Sequence, residues 1–250
     1  MLAELFIYIS VFLFGVFFGS FLNVLIYRIP LKQEFVKTPS HCMTCGHKLA
    51  WYDNIPLVSW LSLKGRCRYC NTKISPQYPI IEGLNGILWV LTFVMCGINF
   101  MSILYAGMIS ALIALSVIDW RTHEIPDGFH IFIGALGLIS VFLDISHWSE
   151  HIIGLFAVSV PLALIFFISK GRAIGFGDVK LMAACGLLVG WKHVALGFVV
   201  GCIVGSIIHI IRMKVSNVGR ELAFGPYLGG GIVISLLFCS PLIAWYLQIF

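Results

Sequence analysis

At 250 residues the chain is long enough for a sizeable core, but its 60% hydrophobic content, mean hydropathy of +0.99 and 11% charged residues exclude an ordinary water-soluble domain and point to a lipid bilayer. The net charge of +5 gives no reason to invoke nucleic acid, because membrane topology accounts for it. The first apolar run, Leu5 to Ile26, is of bilayer-spanning length. It follows Glu4 rather than a basic cluster and precedes no small-residue cleavage pattern, so it reads as a retained helix and not a signal peptide.

Beyond a long polar stretch come seven more apolar runs: Pro79 to Gly97, Phe100 to Ile118, Phe129 to Trp148, Ile152 to Ser169, Val179 to Gly190, Val194 to Met213 and Leu228 to Phe250. The expected fold is therefore an all-α polytopic membrane protein of about eight transmembrane helices, with a zinc-ribbon-like loop between helices 1 and 2. The sixth run is short for a span but rich in Ala and Gly, which suits close helix packing; Gly197, Gly201 and Gly205 suit packing within the chain in the same way. Membrane proteins keep Lys and Arg in cytoplasmic loops. Eight spans leave only Lys192 of the 16 basic residues outside, with both termini outward. Counting seven would export Arg212, Lys214 and Arg220. Residues 1–27 are thus read as helix 1, 28–78 as a cytoplasmic loop domain and 79–250 as a seven-helix membrane domain.

The loop holds Cys42-Met43-Thr44-Cys45 and Cys67-Arg68-Tyr69-Cys70, two CxxC knuckles whose four thiolates can close a tetrahedral zinc site. The loop has few aliphatic residues, so metal would supply much of its folding energy. The alternative is two redox or disulfide pairs, which the reducing cytoplasm disfavours. His41 or His47 could stand in for a cysteine, though nothing requires it. Cys96, Cys185, Cys202 and Cys239 lie within apolar runs and read as small core residues.

Acids against a bilayer are costly and therefore informative. Asp119 ends the third run and Asp178 opens the sixth, in Gly175-Phe176-Gly177-Asp178. Both fall on the cytoplasmic side, so two carboxyl groups from different helices can meet. That is aspartic-protease chemistry: one carboxylate draws a proton from water while a protonated partner polarises the scissile carbonyl. Asp178 also suits a helix cap, whereas Asp119, at a helix C-terminus, does not. Asp127 reads as a cap of the next helix, and Glu124 and Asp144 as solvated or interfacial. Glu82, just inside the second run, is expected to pair with a basic group or touch substrate. Arg28 reads either as a substrate contact or as a snorkelling side chain.

These residues together resemble the bifunctional type IV prepilin peptidases, also called leader peptidase/N-methyltransferases, over nearly the whole chain. The similar segments are Gly19-Ser20-Phe21-Leu22-Asn23 through Pro30, Asn54-Ile55-Pro56-Leu57-Val58-Ser59-Trp60, Tyr78-Pro79-Ile80-Ile81-Glu82, Asp119 with Ile125-Pro126-Asp127, the GxGD ending at Asp178, and Phe224-Gly225-Pro226-Tyr227-Leu228. Met43 departs from the Pro that many members carry, leaving the CxxC intact. The resemblance implies a membrane aspartyl protease with Asp119 and Asp178 as catalytic pair. It implies prepilin and type II pseudopilin substrates at the cytoplasmic face of the bacterial inner membrane, and methylation of the new N-terminus from S-adenosylmethionine. The zinc loop and Glu82 are where that second activity is expected. No glycine-rich nucleotide loop marks the donor site. The rivals are a peptidase without methylation, which generally lacks the four-cysteine loop, and a non-catalytic scaffold docking through its zinc module.

Overall fold

The computed structural model describes residues 2–34, 38–216 and 222–247, with side chains as far as residue 238 except Ser216. Among the described residues it is all helical, with no strand beyond two isolated bridges in the loop. The order is α1 (Leu2–Arg28), a 3-10 turn (Trp51–Asn54), α2 (Val58–Ser62), α3 (Gln77–Cys96), α4 (Phe100–Thr122), α5 (Asp127–Leu143), a second 3-10 turn (Ile145–His147), α6 (Trp148–Ala157), α7 (Ser159–Ser169), α8 (Phe176–Ser216) and α9 (Gly225–Leu247). Among the described residues five helical stretches are long and apolar enough to cross a membrane, and α5 and 225–238 of α9 are shorter apolar helices. The chain forms two compact units, Met1–Phe93 and Val94–Phe250.

In the first unit α1 and α3 touch backbone to backbone, because glycines occupy the crossing. A Cβ on Gly15 would lie 2.8 Å from Gly86 Cα, and one on Gly19 would lie 2.7 Å from Glu82 Cα. Such proximity lets side-chain amides bridge the helices: Asn85 Nδ2 donates to the Gly15 carbonyl (2.7 Å) and Asn23 Nδ2 to the Tyr78 carbonyl (3.2 Å). The polar loop between these helices has almost no core. Of its described residues from 29 to 76, only Pro56, Gly65 and Cys67 are buried.

In the second unit α4 is central, with 67% of its apolar window buried against 22% for α8. Met108, Ile109, Leu112 and Leu115 of α4, Leu181, Met182 and Leu188 of α8, and Leu228 and Ile232 of α9 are fully buried. Asn99 caps α4 by accepting the Ser102 N–H (3.0 Å), and His123, in the left-handed region, ends it by returning its N–H to the Asp119 carbonyl (2.8 Å).

Three boundaries differ from the apolar runs. The fourth run ends its helix at Leu143 rather than Trp148, where Asp144 departs from helical geometry. The fifth is interrupted at Val158. Pro161 explains that interruption: lacking an N–H, it cannot bond the Ala157 carbonyl, so α7 begins anew from Val158. The sixth and seventh runs join in α8, but Gly190 breaks the helix at φ 79°, ψ 170°, a conformation that favours glycine. Around that break the backbones of α6 and α8 meet at Gly154 and Gly186, and those of α8 and α9 at Gly197 and Gly231. The Gly201 and Gly205 positions likewise pack on Tyr227 within the same unit. Cys185 is buried as expected, Cys96 and Cys202 are half-buried, and the Cys239 side chain lies outside the described residues.

Candidate active site and metal centre

Asp119 sits in the last turn of α4 and Asp178 in the first turn of α8. Both are buried, at 5% and 8% exposure, both line one cavity of about 350 Å³, and they are near enough for their charges to interact. The rest of the wall is mostly the α4–α5 connection (His123, Glu124, Ile125) and the Gly175-Phe176-Gly177 turn. The turn packs on Ile125 at Gly177, where a Cβ would make ordinary contact at 3.4 Å.

Asp119 is held from a third element. The Gly225 N–H at the start of α9 donates to Asp119 Oδ2 at 2.8 Å, and a Cβ on residue 225 would stand 2.8 Å from that same oxygen. An exposed helix N-terminus offers unpaired N–H groups that suit a carboxylate, and glycine alone permits this approach. Gly225→Ala is expected to move the carboxylate by a fraction of an ångström or more and to slow any reaction that depends on its position by about 10²-fold, with little change in thermal stability. Initial rates and a melting curve on one preparation check this.

Asp127 is not a cap. The N-cap of α5 is Pro126 with no side-chain bond, and Asp127 Oδ1 instead meets Lys180 Nζ at 2.7 Å and His130 Nδ1 at 3.4 Å. This joins α5 to α8 at the cavity wall and uses the cation nearest Asp178 in sequence. Asp178 stands in the first turn of its helix with the Gly175 amide against its carboxylate, so the capping geometry is present beside the exposure to the cavity. Glu124 is exposed at the rim, and Asp144 pairs with His147 at 2.9 Å.

In the first unit the sulfurs of Cys42, Cys45, Cys67 and Cys70 all lie within 4.8 Å of one another, with Cys42 and Cys70 3.8 Å apart. Four sulfurs at about 2.3 Å from a tetrahedral zinc stand about 3.8 Å from each other, so the set fits that ion. No disulfide joins the described cysteines. Each knuckle folds the same way: Cys42 N–H reaches the His47 carbonyl and Cys67 N–H the Thr72 carbonyl, both at 2.9 Å. The Thr72 hydroxyl and amide bring the Cys70 thiol down to about 6, and the amides of Cys45 and Thr44 lower Cys42. At Cys45 the His47 amide is outweighed by desolvation and the neighbouring thiols, which push it up to about 11. The histidines take other roles: His47 stacks on Tyr69 and His41 meets the Pro39 carbonyl.

Glu82 is buried and faces no basic group among the described residues. Its Oε2 accepts the Leu57 N–H at 2.7 Å, pinning the turn before α2, where Leu57 holds a positive φ of 60°. Among the described residues Arg28 meets no acid. Its buried guanidinium donates to the carbonyls of Glu34, Thr38 and Pro39 at 3.1, 2.7 and 3.2 Å and so clasps the start of the loop. Both residues line a cavity of about 360 Å³ that also takes in Asn23, Trp60 and Tyr78. Sequence reasoning singled out both residues but not these partners, which are backbone groups and leave no mark in residue identities.

Two family models match the chain: the bacterial peptidase A24 N-terminal domain over residues 13–96, and the type IV leader peptidase family over residues 106–210. Curated relatives include a prepilin leader peptidase/N-methyltransferase of Stutzerimonas stutzeri, 30% identical over 94% of this chain and 91% of that protein. Another, from Aeromonas salmonicida (strain A449), is 31% identical over 95% and 93%. A third, from Klebsiella pneumoniae, is 37% identical over 72% and 84%. No solved structure matches the chain.

Proposed function

This chain belongs to the type IV leader peptidase family, and from that membership we propose that it cleaves the leader from prepilins and pseudopilins with Asp119 and Asp178 and then N-methylates the new N-terminus. The observation that carries the peptidase reading is the shared cavity, into which two helices far apart in sequence bring a buried carboxyl each. One carboxylate takes a proton from water as the water oxygen attacks the scissile carbonyl carbon. The other, protonated, donates a hydrogen bond to the carbonyl oxygen. Collapse of the tetrahedral species breaks the C–N bond and passes a proton to the leaving amine. Gly225 fixes one oxygen of Asp119, so the geometry is set before substrate arrives.

The helices are read as eight spans, with α6 and α7 forming one and α8 forming two on either side of Gly190. In that arrangement the basic loop and both aspartates face the cytoplasm at the inner membrane, where a basic leader would remain. Residues 28–78 are read as a zinc-bound loop domain on Cys42, Cys45, Cys67 and Cys70, and 79–250 as the protease domain. For the methyl donor, the first-unit cavity has the volume of a small-molecule site and the mix of aromatic and polar walls such sites use. S-adenosylmethionine supplies an electrophilic methyl group there when bound, with Glu82 among the residues that hold it. The test is co-expression with a prepilin and mass measurement of the product's N-terminus. A product lacking the leader and one methyl group heavier is the expected result, and an uncut precursor would refute it.

A further inference from the structure

The cavity of the first unit is lined by a buried guanidinium, Arg28, and a buried carboxyl, Glu82, and among the described residues neither has a charged partner, whereas Asp53 on the same lining is paired with Arg68. Arg28 is 7% exposed and Glu82 5%, both line the cavity, and among the described residues neither meets a group of opposite charge. Burying an ionisable group is costly unless it is compensated, so two such groups of opposite type left without charged partners on one cavity are unusual. Hydrogen-bonding capacity also remains. A guanidinium has five N–H donors, and three contacts to carbonyls are made. A carboxylate accepts at about four lone-pair positions, and Glu82 has the Leu57 amide and Ser20. The carbonyl clasp and the Leu57 amide fix each side chain without neutralising it. Trp60 and Tyr78 add flat apolar surface to the same cavity.

We infer that this cavity binds the α-amino-acid end of the methyl donor, with Arg28 taking its carboxylate and Glu82 its ammonium group. The inference rests on the methyl-transfer reading above and adds which end of the donor the cavity reads. A zwitterionic head group compensates both buried charges at once, which a neutral or singly charged ligand does not.

The experiment uses the purified full-length chain in nanodiscs and measures binding by calorimetry for three probes: S-adenosylmethionine, its decarboxylated form, and 5′-methylthioadenosine, which has no amino-acid portion. The wild type is expected to prefer S-adenosylmethionine over either truncated probe by about 10- to 100-fold, the range for one charge-assisted hydrogen bond. Arg28→Gln is expected to erase the preference over the decarboxylated probe. Glu82→Gln, which can still accept the Leu57 amide, is expected to weaken S-adenosylmethionine binding by about tenfold or more while binding methylthioadenosine as before. Zinc content reports whether the loop of each variant has folded, and the ladder of probes on the wild type does not depend on any variant. A wild-type protein that methylates its product yet binds the three probes equally overturns the charge pair and leaves methyl transfer standing. One that neither binds a probe nor methylates overturns the methyl-transfer reading and this inference with it.

Discussion

Asp119→Asn and Asp178→Asn are each expected to lower prepilin cleavage by about 10²- to 10⁴-fold, the range of a positioned acid or base, and the double variant to be little worse than either single one. The near-equality follows from the mechanism. The pair must hold one proton between them, so removing either carboxyl removes the base or the acid, and the survivor cannot do both tasks. Asn keeps the size of Asp and retains an amide oxygen to accept the Gly225 N–H, so the α4–α9 contact at 2.8 Å survives the change. A capping role alone for Asp178 would cost stability of about 1 kcal/mol and leave the rate intact. Initial cleavage rates set beside melting temperatures on one preparation separate these readings. Near-normal cleavage by either variant would remove the dyad from the mechanism.

Stripping the metal, or Cys67→Ser, is expected to unfold the loop between α1 and α3. Structural zinc binding in small domains contributes about 10–16 kcal/mol, as much as the whole stability of an ordinary domain. This loop has little else, because only Pro56, Gly65 and Cys67 among its described residues are buried. The remaining side-chain ties are few: the Arg28 clasp at the start of the loop, the Glu82 bond to the Leu57 amide, and Arg68 to Asp53 at 2.8 Å, a pair exposed only at its arginine. One zinc per chain by elemental analysis, lost on chelation together with new proteolytic cuts between residues 38 and 76, is the expected pattern. Because thiolates must shed their protons to bind, chelation should become easier as pH falls. A zinc-free protein that resists proteolysis as the holoprotein does would show that the loop holds itself.

Much of this is legible in the residues alone. The CxxC spacing foretold a cluster because a knuckle is a local structure: the backbone turn that joins Cys42 to Cys45 is closed by the Cys42 to His47 bond within six residues. Asp119 and Asp178 stand out as acids at the edges of apolar runs, and both line one cavity. Gly197, Gly201 and Gly205 announced a close crossing, and α9 lies there. Asp127 misled because an acid at a helix start resembles a cap, whereas Lys180, 53 residues on, claims it instead.

What the sequence by itself determined was the all-helical, membrane-type architecture and the four-sulfur cluster, since each depends on composition or on spacing within a few residues. Only the tertiary structure decided that Gly225 orients Asp119 across 106 residues, that Glu82 holds the Leu57 turn across 25, and that Arg28 clasps carbonyls rather than an acid. Those bonds end on backbone amides and carbonyls, which every residue carries alike. Which of them meets a given side chain is therefore set by how the helices pack and not by any pattern of residue types.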